Sequence, residues 1–185
     1  MDFIEHIQDR SFGLLGFDID TYIASVDYCE EVVTFPLYNL SGQMLGYQAY
    51  RWNKPKDNNR ADPRMQRYFT RLPREALAVY GLHLLPEGYL GPIFLVEGVW
   101  EAIVGYFFGV PCVAVLGSDP KGLMDWVHSI ANPVVALVQP DAAGQKLKKY
   151  GKNGYIQLEG DLDDLFKNGG WLGVPSGIGD TMDRF

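Results

Sequence analysis

The sequence predicts an α/β protein in which a parallel sheet with flanking helices follows a smaller, mixed α+β N-terminal half. From residue 93 onward, short apolar runs alternate with helical stretches, and the connections between them are short. Such alternation is typical of a parallel sheet covered by helices on both faces. Before residue 53 the pattern differs, because two strand-like runs flank residues 39–42, whose Asn, Ser and Gly favour a hairpin turn.

The N-terminal half, residues 1–90, contains few regular elements. Residues 20–29 have weak helical character, and strands are predicted over 32–38 and 44–52. The polar segment 53–63 is rich in turn-forming residues and is predicted to be a loop. This half is therefore expected to form a small subdomain built around one hairpin.

The second half, residues 91–170, is predicted to form the parallel sheet. Its short apolar runs have the length of buried strands, and the stretches between them have the length of helices. The predicted strands are 93–96, 112–116, 134–138 and 155–158, and the predicted helices are 99–108, 123–131 and 142–150, with a helical turn near 163–166. Residues 171–185 are glycine-rich and are predicted to form a flexible tail.

Bulk composition is that of a globular protein. The chain has 185 residues, 47% of them hydrophobic, which is enough for one domain or one domain with an annex. The longest apolar run, 102–117, is interrupted by Gly105, Gly109 and Pro111 and is shorter than the roughly 20 residues of a membrane-spanning helix. The N-terminus has no apolar stretch of signal-peptide length, so a cytoplasmic location is expected. The two cysteines are too far apart to suggest a zinc ribbon.

Charge is distributed unevenly along the chain. The net charge is −7, yet residues 51–74 contain eight basic and two acidic residues, so the rest carries −13. A basic segment beside an acidic body suits a protein that holds a polyanion on one side and cations on the other. A solvated loop that carries Lys and Arg for solubility is the alternative, and charge alone favours this alternative.

Acidic residues follow three of the four predicted parallel strands. Glu97 comes directly after the first strand, and Glu101 lies one helical turn later. Asp141 follows the third strand, and Asp161 and Asp163 follow the fourth. Ligands bind at the carboxyl ends of parallel strands, and converging carboxylates favour a hard divalent cation such as Mg²⁺. Each acid taken singly could instead complement a helix dipole.

The ordered series of motifs resembles a TOPRIM domain, the metal-binding core shared by bacterial DnaG-type primases, topoisomerases and some nucleases. The series consists of 96-VEG-98, 115-VLGS-118, 139-QPDAAG-144 and 160-GDLD-163. The upstream half is similar to primases in particular, through residues 34–52, 67-RYF-69 and 79-VYGLHLL-85. Each motif is short, but the order is kept over residues 11–166.

The resemblance implies roles for individual acidic residues. Glu97 matches the family's general acid or base and metal neighbour, and Glu101 stands where primases usually have Asp. Asp141 matches the second acid of a D-x-D pair whose first member is replaced by Gln139, which is expected to be a weak metal ligand. The later metal-binding acids of primases correspond to Asp161 and Asp163.

The resemblance also implies a function and a set of partners. Arg51 and Arg67 match basic positions that hold the template strand and the incoming nucleotide, and Arg74 stands beside the position of a family Lys. The expected activity is Mg²⁺- or Mn²⁺-dependent synthesis of short RNA primers on single-stranded DNA from ribonucleoside triphosphates, in a bacterial or phage-infected cell. A replicative helicase or a separate zinc-binding protein is an expected partner.

Two other functions remain open from the sequence. A TOPRIM nuclease would use the same acids to cleave nucleic acid. A catalytically weakened module that binds nucleic acid or a replication partner is the stronger alternative, because Gln139 removes one motif carboxylate.

Overall fold

Two four-stranded sheets, one antiparallel and one parallel, form the framework of the protein. The computed structural model describes residues 1–13, 23–56, 62–116, 120 and 122–167. The antiparallel sheet has the order β1–β2–β3–β4, with β1 Ser25–Asp27, β2 Val32–Tyr38, β3 Met44–Arg51 and β4 Tyr68–Arg71. The α/β architecture with a mixed N-terminal half is therefore confirmed.

The central hairpin of the antiparallel sheet follows the predicted pattern. Strands β2 and β3 pair with Val33 opposite Tyr50, and buried residues alternate with half-buried ones along most of β2. In the turn, the Asn39 side chain accepts hydrogen bonds from the backbone N–H groups of Ser41 and Gln43, at 3.0 and 2.8 Å. The Asn39 side chain therefore satisfies two backbone N–H groups of the turn, as Asn side chains commonly do in turns.

Several N-terminal predictions differ from the structure. The weak helix over residues 20–29 is wrong where the chain is described, because Ser25–Asp27 forms β1 and pairs with β2; residues 20–22 lie outside the described residues. Strand pairing here overrides a weak local preference. The sequence interpretation also missed β4, a 3₁₀ turn at Pro63–Met65, and helix α1, Phe3–Ser11.

The parallel sheet has the order β6–β5–β7–β8. Its elements end within a few residues of the predicted bounds, and the last turn of the third predicted helix is 3₁₀. They are β5 Ile93–Val96, α2 Val99–Phe107, β6 Cys112–Ala114, α3 Leu123–Ser129, β7 Val134–Val138, α4 Ala142–Leu147, β8 Tyr155–Gln157 and α5 Leu162–Lys167.

Both faces of the parallel sheet are buried. Alternate residues of each strand point to opposite faces, so Phe94 and Val96 pack toward α2 and the antiparallel sheet, whereas Leu95 packs toward α3. Strands β5, β6 and β7 are buried along their whole length, which explains why they appear in the sequence as unbroken apolar runs. Among the described helices, none is long and apolar enough to span a membrane.

The two sheets are joined by backbone bonds and a shared core. Tyr80 and Ala114 exchange two backbone hydrogen bonds, of 3.0 and 2.8 Å, across the boundary. The ring of Trp100 on α2 makes edge contacts with Phe35 and Tyr50 on the antiparallel sheet. A domain boundary near residue 90 stays a prediction, and the predicted tail at 171–185 lies outside the described residues.

Helix α4 packs unusually close to the end of β7. A Cβ atom added to Gly144 would lie 2.5 Å from the backbone oxygen of Gln139 and 2.7 Å from its nitrogen. Only glycine therefore allows this approach, and the approach fixes where Asp141, at the start of α4, sits relative to the strand end.

We predict that Gly144→Ala lowers the free energy of unfolding by about 2 kcal/mol, as overpacking does, although alanine is the better helix former. Gly160→Ala is the control, because a Cβ there meets no atom within 4 Å. Urea unfolding monitored by circular dichroism measures both variants, and a Gly144→Ala protein as stable as the control would contradict the close packing.

Candidate active site

A cavity of about 590 Å³ opens at the carboxyl ends of β5 and β7, beside the antiparallel sheet. The parallel-sheet half and the N-terminal half line it with different chemistry. We call the first set the acidic side and the second the basic side. The acidic side consists of Glu97, Glu101, Gln139, Asp141 and Asp161, and the basic side of Arg10, Gln48, Lys56, Tyr68 and Thr70.

Glu101 is the most enclosed carboxylate of the acidic side, with 8% of its surface exposed. Its Oε2 accepts hydrogen bonds of 2.9 Å from the backbone N–H groups of both Glu97 and Gly98. Its Oε1 accepts a short hydrogen bond from the Gln139 side-chain amide. Burial raises the pKa of Glu101 to about 7, and the backbone donors limit that rise.

Gln139 therefore has a different environment from the one expected of a metal ligand. The amide of Gln139 faces Glu101 through its N–H group, which ties the end of β7 to the first turn of α2. An Asp at this position would place a second carboxylate beside Glu101, and two adjacent carboxylates need a shared proton or a cation. The uncharged Gln139 side chain donates a hydrogen bond to Glu101 instead, so this contact needs neither a shared proton nor a cation.

Glu97 is half-buried at the end of β5, and its side chain has an unused acceptor. The Oε1 atom is buried and has no hydrogen-bond partner among the described residues. Burial, followed by the nearby charge of Asp141, raises the pKa of Glu97. A buried carboxylate oxygen of this kind is unfavourable unless a proton, a donor or a cation reaches it.

The remaining acids are more exposed. Asp141 caps α4, and its Oδ1 accepts a 2.7 Å hydrogen bond from the Gly144 N–H group. Asp161 lies just before α5 and lines the cavity. Asp163 lies in the first turn of α5, and its side chain is outside what the structure describes. The strand ends thus bring Glu97, Asp141 and Asp161 to one cavity.

The donor chemistry of the acidic side fits a hard divalent cation. The unpartnered oxygen of Glu97 and the carboxylates of Asp141 and Asp161 are the ligand type that Mg²⁺ and Mn²⁺ take. Within the described part of the chain, no three His, Cys, Asp or Glu side chains are grouped closely enough to enclose an ion. Mg²⁺ commonly uses one or two protein carboxylates and completes its shell with water and substrate phosphates. Glu101 differs, because both its oxygens already accept hydrogen bonds.

The three arginines predicted to bind nucleic acid do not line this cavity. Arg51 lines a separate cavity of about 630 Å³ with Lys54, and its Nη1 has no hydrogen-bond partner among the described residues. The Nε of Arg67 donates a 2.6 Å hydrogen bond to the Lys54 backbone oxygen. Arg74 is exposed beyond the end of β4. The three arginines therefore lie on the N-terminal half, outside the cavity that the carboxylates line.

Among the described residues, two cations line the cavity: Arg10, which the sequence reasoning missed, and Lys56, which lies in the predicted basic segment 51–74. A signal for Arg10 was present, because Asp2 and Glu5 form a capping box that starts α1, and Phe3 and Ile7 have helical spacing. These features place Arg10 near the end of a helix, but the sequence does not show which sheet that helix covers.

The arrangement of the two sheets is the fold of primase catalytic cores. Among solved structures, the chain is similar to the Escherichia coli primase catalytic core, with a TM-score of 0.55 and 16% identity over 83% of this chain and 52% of that chain. A DnaG primase catalytic domain bound to single-stranded DNA matches with a TM-score of 0.54 and 16% identity over 88% and 57% of the two chains. The primase fragment of the bacteriophage T7 primase-helicase protein matches with a TM-score of 0.54 and 15% identity over 75% and 59%.

These similarities are structural, and the chain spans about half the length of the primase structures it matches. No model of a known protein family matches the sequence, and no curated protein matches it significantly. The resemblance to DnaG-type primase cores therefore holds at the level of the fold, and the roles of the residues in the cavity stay proposals.

We predict that Gln139→Asp binds Mn²⁺ about tenfold more tightly than the unmodified protein, because added ligand charge strengthens binding of hard cations. Without metal, the variant should be less stable by about 1–3 kcal/mol, because two carboxylates then face each other. Free Mn²⁺ measured by electron paramagnetic resonance gives the affinity, and urea unfolding in EDTA gives the stability.

Gln139→Asn is the control for this change, because Asn has the length of Asp without its charge. It should lose the bond to Glu101 and gain no Mn²⁺ affinity. Equal Mn²⁺ affinities for the Asp and Asn variants would show that a carboxylate at position 139 does not reach the ion and would contradict this prediction.

Proposed function

We propose that the chain is a metal-dependent nucleotidyltransferase core that synthesises short RNA primers on a single-stranded DNA template. The observation that carries this proposal is the cavity itself, in which strand-end carboxylates and the cations of the N-terminal half line one space. A primase-core fold with such a cavity can hold a nucleotide, its metal ions and a primer end together.

The acidic side would hold the metal, Mg²⁺ or Mn²⁺. Glu97, Asp141 and Asp161 would bind it, with Asp163 as a further predicted ligand. When bound, the ion would neutralise the triphosphate and polarise the attacking 3′ hydroxyl. Glu101 would act through Glu97, because its hydrogen bonds to the Glu97 and Gly98 backbone fix the turn from which Glu97 projects.

The segment 51–74 would bind the template strand. Arg51, Arg67 and Arg74 carry charge outside the acidic cavity, where a polyanionic backbone could pass without meeting the acidic side. The cavity around Arg51 is also lined by Lys54 and Asn53, which suit phosphate contacts, and by Arg64, which is paired with the cavity's Asp62 at 3.1 Å. Asp27 and Glu30 line the same cavity, so the phosphate contacts would fall to Arg51 and Lys54. A replicative helicase or a separate zinc-binding protein remains the proposed partner.

A second candidate is a module that binds nucleic acid or a replication partner without catalysis. The hydrogen bond between Gln139 and Glu101 favours it, because the Gln139 side chain, predicted to be a weak metal ligand, is bonded to protein instead. The absence of a three-carboxylate cluster among the described residues favours it as well. The two candidates share the template site and differ in whether the acidic side supports chemistry.

A primer-synthesis assay with single-stranded DNA, ribonucleoside triphosphates and Mn²⁺ separates these functions. The proposal predicts short RNA products that fall by at least about a hundredfold in Glu97→Gln, because the variant keeps the shape but loses the charge that binds metal. Asp125→Asn is the control, since Asp125 is exposed on α3 on the far face of the sheet, and it should retain activity.

The other outcomes of the same assay support other functions. Shortening of the template in a Glu97-dependent manner would identify a nuclease. Tight binding of single-stranded DNA with no product would identify the binding module, and equal product from Glu97→Gln would remove Glu97 from the site.

A further inference from the structure

The antiparallel sheet contributes to the cavity an uncharged polar pair that the proposed chemistry does not use. Gln48 on β3 and Thr70 on β4 lie directly opposite each other in the strand register, and both line the cavity. The Gln48 Nε2 atom donates a 2.9 Å hydrogen bond to the Thr70 hydroxyl. Gln48 is 8% exposed, which is unusual for a glutamine.

The rest of the sheet fixes this pair in place. Side chains two residues apart on a strand share a face, so Gln48 lies on the same face as Tyr50, and Thr70 on the same face as Tyr68. The ring centres of Tyr50 and Tyr68 are 5.0 Å apart, and those of Tyr50 and Trp100 are 5.1 Å apart. The pair is therefore held by two hydrogen-bonded strands and by packed aromatic rings beside it, which suits precise recognition.

The pair has hydrogen-bonding capacity that the protein does not use. In the part of the chain that the structure describes, the Gln48 Oε1 atom accepts no hydrogen bond, although buried side-chain amides are usually fully paired. The exposed Thr70 hydroxyl accepts the bond from Gln48 and donates none to these residues, so its proton is available to a ligand. One acceptor and one donor, close together and uncharged, are thus offered to the cavity.

This chemistry suits a hydroxyl group. An ionised phosphate brings only acceptor oxygens, so it has no donor for the Gln48 Oε1 atom. A hydroxyl both donates and accepts, so it can donate to Gln48 and accept from Thr70. The ribose hydroxyls of a nucleotide have this property. A metal ion is better served by the acidic side, whose carboxylates carry the charge that Gln48 lacks.

The ribose is also the part of the substrate that is the same in every ribonucleoside triphosphate. The edge of a base presents donors and acceptors as well, but their pattern differs from base to base, and copying a template requires all four bases to enter one site. The cavity volume of about 590 Å³ is within the range of small-molecule sites. A nucleotide could therefore place its phosphates at the acidic side and its sugar at β3 and β4.

We propose that Gln48 and Thr70 bind a ribose hydroxyl of the incoming nucleotide, so that the site recognises the sugar of its substrate. This inference rests on the proposed function and adds the part of the cavity that distinguishes one sugar from another. A site built to hydrogen-bond a hydroxyl disfavours the analogue that lacks it, because the polar groups of the site are then left unpaired.

Isothermal titration calorimetry with Mg·GTP and Mg·2′,3′-dideoxyGTP tests the assignment. The unmodified protein should bind GTP more tightly. Gln48→Met and Thr70→Val keep the size of the side chain and remove its polar atoms. Each should weaken GTP binding by about fivefold to tenfold and dideoxyGTP binding by less than about twofold, as loss of a hydrogen bond to a neutral group does. A GTP-like loss with either 2′-deoxyGTP or 3′-deoxyGTP would support the assignment and identify the hydroxyl.

Gln157→Met is the matched control, because Gln157 also lies on a strand, β8, but does not line the cavity, and it should change neither affinity. If Gln48→Met unfolds, Thr70→Val must still show the larger loss for GTP. Equal losses for GTP and dideoxyGTP would overturn the assignment, as would weaker Mn²⁺ binding by Gln48→Met in electron paramagnetic resonance. An unmodified protein that binds both nucleotides equally would overturn the assignment alone, whereas one that binds neither would overturn the proposed function as well.

Discussion

The acidic side of the cavity depends on the hydrogen bonds of one buried carboxylate, Glu101. One of its oxygens holds the backbone of Glu97 and Gly98, and the other holds the side chain of Gln139. These bonds connect the ends of β5 and β7, two neighbouring strands, with the first turn of α2. A carboxylate that is 8% exposed would be costly without such donors. The position of the Glu97 side chain, and with it any metal site, follows from this connection.

The cavity exists because the two halves of the chain share a core. Trp100 makes edge contacts with Phe35 and Tyr50 of the antiparallel sheet, and the guanidinium of Arg10 lies over its ring. The same side chain thus belongs to the core and to the wall of the site. Charge is arranged accordingly, with carboxylates at the ends of the parallel strands and cations on the N-terminal half. The uneven charge along the sequence reflects this arrangement only in part, because Arg10 lies outside the basic segment 51–74 and Arg51, Arg67 and Arg74 do not line the cavity.

Sequence reasoning predicted the parallel half well because its strands are buried on both faces. Strands β5 and β7 have the predicted bounds, and Glu97, Asp141 and Asp161, which follow strands, line one cavity, since topology alone brings strand ends together. It failed for β1, a three-residue strand that exists only by pairing with β2. It could not place Arg10 or the bond between Gln139 and Glu101, because both contacts join residues distant in sequence and depend on how the halves pack.

We propose that Glu97 provides the free ligand for a metal, while the hydrogen bonds of Glu101 and Gln139 fix the strand ends around it. Anomalous diffraction from crystals soaked in Mn²⁺ tests it most directly, because it locates the ion without assumptions about activity. We expect Mn²⁺ to be bound to the Glu97 Oε1 atom, with Asp141 or Asp161 as a second ligand and the amide of Gln139 still bonded to Glu101. An ion coordinated by Glu101, or no ion at Glu97 under saturating Mn²⁺, would contradict it.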